Sequence, residues 1–134
     1  MTLEVASDVI ATLLQEAAKA APHECCGLLL GQGGRIDEVR PAANVADNPA
    51  RRFEIDPLAL LAAHKAARGG GPQILGYYHS HPEGHPVPSA TDCEHASGDD
   101  LLWAIIAGGE VAFWRDGEQG FEPVAHDFTD GWQS

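Results

Sequence analysis

Cysteine is scarce: the chain has three in 134 residues, at 25, 26 and 93. An odd count without framework spacing excludes a disulfide-stapled scaffold and points to reduced thiols. Cys25 and Cys26 are neighbours in a strand-like run, so they project to opposite faces and do not share a metal. They are expected to be small buried side chains. Cations are scarce too, with 8 Lys and Arg against 20 Asp and Glu, for a net charge of −12. Only Arg115 lies beyond Arg68. That balance argues against nucleic acid or an anionic membrane as partner. It suits solubility or a salty solvent, with a basic protein partner as the other use. No apolar run approaches the roughly 20 residues that cross a bilayer. The start, Met1-Thr2-Leu3-Glu4, lacks the basic and apolar regions of a signal peptide, so a cytoplasmic protein is expected.

What is present fits one domain over residues 1–134, because 44% apolar residues supply a core. No internal repeat or low-complexity tract interrupts it. Ser7-Asp8 opens a helix, with Ile10, Leu13, Leu14, Ala17 and Ala18 at helical spacing, and Pro22 closes it. Residues 25–30 form a buried strand, and the glycines at 31, 33 and 34 turn it into a hairpin returning over 35–40. Residues 51–55 read as a strand. Asp56-Pro57 caps a helix that runs to Gly69. Residues 74–81 read as a central strand, and Ser89 begins another helix. Three strands follow at 101–107, 111–114 and 121–127. This order predicts an α/β protein of the α+β type, a mixed sheet with helices packed on it.

Residues 79–92 carry the chemistry: His-Ser-His-Pro-Glu-Gly-His-Pro-Val-Pro-Ser-Ala-Thr-Asp. On a strand His79 and His81 share a face, roughly 6.6 Å apart at the backbone. Two imidazoles at that spacing can lean onto one ion while Ser80 faces away. Pro82 ends the strand, and the Gly- and Pro-rich loop lets the chain turn back. Ser89-x-x-Asp92 is a near relative of the helix capping box, and it sets Asp92 in the first turn. Two histidines and one carboxylate are a donor set that catalytic zinc uses while keeping a position open for water. Such a site needs a base for water's proton. Glu24, at the mouth of the first apolar strand, is the leading candidate, since a carboxylate there is odd for packing alone. The bland readings are a helix cap for Ser89 and Asp92, surface histidines, and a surface Glu24. His85 reads as a solvated loop residue, Cys93 as packing, and Trp103, Phe113 and Trp114 as core. Of Tyr77 and Tyr78, on opposite faces, one would line the substrate groove and the other the core.

These residues resemble the signature of the JAMM metallopeptidases, also called MPN-plus or JAB. That signature is a glutamate on an early strand, then His-Ser/Thr-His-Pro, six residues, and Ser-x-x-Asp. Glu24, His79-Ser80-His81-Pro82, Ser89 and Asp92 match it without departure. The flanking 26–29 and 76–78 are similar to the compact prokaryotic branch, and the likeness extends over residues 3–128. The resemblance implies a JAB/MPN fold: a mixed, curved sheet flanked by helices, cytidine-deaminase-like. It implies one zinc ion on His79, His81 and Asp92 with water as fourth ligand, Glu24 as general base and acid, and Ser89 stabilising the oxyanion. It implies cleavage after the C-terminal Gly-Gly of a ubiquitin-like protein, here a sulfur carrier, as for stand-alone prokaryotic members. The chain lacks long insertions, which suits a simple C-terminal tail.

Three other readings are weighed by residue. Non-catalytic scaffolds of this fold lose the histidines or the aspartate, and this chain keeps them. A zinc deaminase needs His-x-Glu with a later Pro-Cys-x-x-Cys. His81-Pro82-Glu83 spells the first part, but Cys93 is the sole cysteine downstream. A peptidase acting on other small peptides stays open. The ion itself is divalent, and two histidines with one aspartate do not select zinc alone. No motif speaks to oligomeric state.

Overall fold

A computed structural model describes residues 2–128. The order is β1 (Leu3–Val5), α1 (Ser7–Ala20), β2 (Cys26–Gln32), β3 (Arg35–Ala42), α2 (Pro57–Arg68), β4 (Gln73–Ser80), α3 (Ala90–His95), β5 (Leu102–Ala107), β6 (Glu110–Gly117), β7 (Gly120–Val124) and β8 (His126–Phe128). The strands form one mixed sheet in the order β7-β6-β5-β4-β2-β3-β1-β8. Helices cover it on two faces. Leu13 and Val9 of α1 join one apolar cluster with Leu29, Tyr78, Ile106 and Phe113. Ala63 of α2 joins a second with Cys26, Leu28, Leu30 and Ile55. Covering on both sides explains why β2 reads as an unbroken apolar run instead of an alternating one. It also separates Cys25 and Cys26 into opposite clusters, each buried, as the strand period requires.

Local chemistry sets the element ends. The Asp56 side chain accepts from Leu58 N–H, and Pro57 occupies the first turn of α2, where its missing donor costs nothing. Gly33 and Gly34 turn the β2–β3 hairpin at φ of 55° and 82°, a region that side chains disfavour. Gly76 lies where a Cβ would collide with the Leu102 backbone, so glycine lets β4 and β5 pair at full closeness.

The pairing of β4 positions the site. It runs antiparallel to β2, with Cys26 opposite His79. Carried two residues further, that register sets Glu24 opposite His81. On its other side β4 is parallel to β5, with His79 opposite Ile105.

Several expectations are corrected. Residues 51–55 form no strand beyond a single bridge between Asn44 and Ile55, because the Asn44 side chain takes up the backbone groups there. The Asn44 amide donates to the Arg52 carbonyl, and its oxygen accepts from Glu54 N–H. The run 121–127 is two strands broken at Ala125, and they lie on opposite edges of the sheet. The three-residue β1 carries too short a pattern to be read from sequence. Cys93 is exposed rather than packed, since α3 turns its other side inward. Trp103 and Phe113 are core, but Trp114 is half-buried. Its indole N–H donates 3.1 Å to the Pro86 carbonyl, which ties β6 to the loop after His81. Tyr78 is core and Tyr77 packs by α2, so neither lines the site cavity.

Candidate active site

His79, the penultimate residue of β4, is fully buried, stacked on Phe53 at 4.3 Å and 17° between ring planes, with Trp103 edge-on at 5.6 Å. His81 lies one residue past the strand, yet its N–H still donates to Ile106 O at 2.8 Å. Its Nδ1 donates to the His85 carbonyl at 2.9 Å. A carbonyl only accepts, so Nδ1 carries a proton, and whenever the ring is neutral the Nε2 lone pair is free for a cation. His85 thus acts through its backbone, with its ring outside that contact.

Asp92 comes from α3. Ser89 caps that helix: its hydroxyl accepts from Asp92 N–H at 3.0 Å, and Ser89 N–H donates to Asp92 Oδ2 at 2.9 Å. The capping box and the candidate ligand set are one device, because the cap turns Oδ2 towards the histidines. His79 Nε2, His81 Nε2 and Asp92 Oδ2 stand 3.1 Å from one another. Donor atoms on two corners of a tetrahedral zinc site lie about 3.3 Å apart, so this donor set and spacing fit a zinc ion. Burial opposes the charge on Asp92, but hydrogen bonds from His79 and His81 outweigh it and hold the carboxyl well below its usual range. Burial pulls the His79 pKa down, which favours the neutral ring that ligation needs. At His81 burial pulls the same way, yet the Asp92 and His85 hydrogen bonds win and raise it, so ligation there displaces a proton.

Glu24 lies beside this cluster with 6% exposure. Burial pushes its carboxyl up to about 7, with His81 opposing and Asp92 reinforcing. A carboxyl near neutrality is what a group that both takes and returns a proton requires. Three backbone contacts fix its place. Glu24 N–H donates to Pro49 O at 2.8 Å, and the Asn44 amide donates to Glu24 O at 3.0 Å. The next residue, Cys25, donates its N–H to Ser80 Oγ at 2.8 Å. Ser80 therefore faces away from the histidines, as the strand period predicts, and ties β2 to β4. Glu24, His81 and Ser89 line a cavity of about 550 Å³ together with Arg51, Glu83 and Val87.

All five residues singled out from the sequence come together here. Sequence reasoning missed Asn44 and Phe53, and gave Ser80 and Trp114 no part in holding the site from outside. Asn44 follows a strand and precedes a polar loop, a weak turn signal. Phe53 offers no local signal at all.

The family described as prokaryotic homologs of the JAB domain matches residues 6–117. A desampylase of Haloferax volcanii is 37% identical over 111 residues, covering 78% of this chain and 80% of that one. A probable TtuB-protein conjugate cleaving protease of Thermus thermophilus is 38% identical over 103 residues, covering 77% of this chain and 64% of that one. A JAB1/MPN domain protein of Archaeoglobus fulgidus shares the fold at a TM-score of 0.64 and 18% identity, covering 96% of this chain and 98% of that one. The family match and these relatives place the chain in the JAMM (JAB/MPN) class. Within that class, the chain belongs to the prokaryotic JAB family.

Proposed function

We propose that this protein is a zinc-dependent peptidase that cuts the amide bond after the C-terminal Gly-Gly of a ubiquitin-like sulfur-carrier protein. The observation that carries the reading is the convergence of His79 Nε2, His81 Nε2 and Asp92 Oδ2 at 3.1 Å beside the buried Glu24. His79, His81 and Asp92 would hold the ion. Bound there, zinc supplies a Lewis acid and acidifies water to a pKa of about 7.

The chain's own residues do the rest. The Glu24 carboxylate takes a proton from water. Water's oxygen bonds to the carbonyl carbon, the C–N bond breaks, and Glu24 returns the proton to the leaving nitrogen. The products are a carboxylate and an amine. The Ser89 hydroxyl accepts from Asp92 N–H, which leaves its hydrogen to donate to the developing oxyanion. The open cavity admits an extended Gly-Gly tail, whose lack of side chains lets the backbone approach closely.

The names of the relatives support conjugate or tail cleavage, since one is a desampylase and another a probable TtuB-protein conjugate cleaving protease. No helix among the described residues is long and apolar enough to cross a membrane. The test is incubation of zinc-loaded protein with candidate carriers extended by a short tail after Gly-Gly, read by mass spectrometry. The expected product ends at Gly-Gly. Cleavage of short peptides but of no carrier overturns the carrier reading in favour of a small-peptide substrate.

A further inference from the structure

The site cavity is lined by a single lysine or arginine, Arg51, among the described residues. In a chain with 8 such residues against 20 acids, a cation at that place is informative. Arg35, Arg40 and the adjacent Arg52 each close on a carboxylate. No described carboxylate pairs with Arg51, which opens onto the cavity instead.

The turn that carries Arg51 is bonded to Glu24 itself. Pro49 O accepts from Glu24 N–H at 2.8 Å, and Arg51 N–H donates to Asn48 O at 3.0 Å. The Asn44 amide bridges the carbonyls of Glu24 and Arg52 at 3.0 and 3.1 Å. Arg51 therefore stands on Glu24's wall of the cavity. In the reaction proposed above, Glu24 delivers its proton to the leaving nitrogen, so that nitrogen lies towards the same wall. In a released α-amino acid, the carboxylate is separated from the nitrogen by one carbon. A free α-carboxylate on the leaving residue thus falls on Arg51's side. An isopeptide-linked lysine places no anion there.

We propose that Arg51 is a specificity-determining residue that reads the free α-carboxylate of the leaving group. The enzyme then favours carrier tails ending one residue after Gly-Gly, and releases a single amino acid. This rests on the amide-hydrolase reading and adds the identity of the released group. A planar guanidinium suits the task because it can bind a carboxylate through two parallel hydrogen bonds.

The test compares two substrates on zinc-loaded protein: a carrier ending Gly-Gly-Ala as the free acid, and the same carrier ending in alanine amide. The free acid is expected to be preferred roughly 10-fold in kcat/KM, carried mainly by KM, as a partly exposed charged hydrogen bond gives. Arg51→Ala should bring the ratio near one with zinc content unchanged, and Arg51→Lys should retain part of it, since charge persists without the fork. A wild-type ratio near one, or an unchanged ratio in Arg51→Ala, overturns the role of Arg51 while leaving hydrolysis intact. Failure to cut either substrate overturns the carrier-hydrolase reading beneath it.

Discussion

Glu24 gives a test that does not depend on substrate. The residue is 6% exposed, and burial raises its carboxyl pKa from 4.5 to about 7 in the metal-free protein. A tenfold change in proton affinity is worth about 1.4 kcal/mol, so the ionised carboxylate destabilises the fold by about 3 kcal/mol at most. The sign follows from which state releases its proton first. Below the unfolded value the group is protonated in both states and costs nothing. Between pH 4.5 and about 7 the unfolded chain ionises first, and stability falls as pH rises. Above that window the full cost applies. Glutamine keeps the shape and carries no charge, so Glu24→Gln should stabilise the metal-free protein at pH 8 by about 2–3 kcal/mol more than at pH 5. Urea unfolding of chelator-treated wild type and variant at the two pH values measures this directly. Loaded with zinc, the same variant should keep its metal and lose turnover. An equal stability difference at both pH values refutes the burial argument, and retained hydrolysis refutes the assigned base.

Further outcomes follow from the contacts around the site. His79→Ala and Asp92→Ala should each lose zinc and activity together, read by elemental analysis and peptide cleavage, and a variant that loses only one of the two contradicts the ligand set. Ser89→Ala should keep zinc, lose about 1 kcal/mol of stability with the cap, and fall roughly 100-fold in kcat; a rate within a few-fold of wild type removes the oxyanion role. Ser80→Ala leaves the buried Cys25 N–H without its acceptor, so a loss of about 1–3 kcal/mol is expected in thermal or urea unfolding. Gly76→Ala forces a side chain into the Leu102 backbone and should cost about 3 kcal/mol or more, seen as low soluble yield or a collapsed melting temperature.

Helices were the most legible elements. α1 and α2 follow from periodicity and from the Asp56-Pro57 start, because their hydrogen bonds are local. Strands were legible where they are long and apolar, as in β2 and β5. The three-residue β1 was not legible, and β8 read as the tail of one longer strand, because these short strands gain their identity from each other: Leu3 pairs with His126 and Val5 with Phe128. The stretch 51–55 has strand-like composition, yet Asn44 satisfies its backbone through a side chain. Propensity describes how well a residue fits a sheet, while neighbours decide whether a sheet is there.

The same division runs through the site. Residue types and spacing alone pointed to the candidate donor set, since His79, His81 and Asp92 fall within one short segment whose strand end, Pro-rich turn and capping box are all local features. They also marked Glu24 as out of place in an apolar run. Tertiary structure decided which groups meet. The antiparallel register of β2 on β4 carries Glu24 to His81, and the Asn44 bonds bring the 45–52 loop and Arg51 to the cavity wall. Those placements depend on pairing register and on side chains distant in the chain. A one-residue slip would turn Glu24 to the other face of the sheet, and nothing in the local sequence forbids that slip.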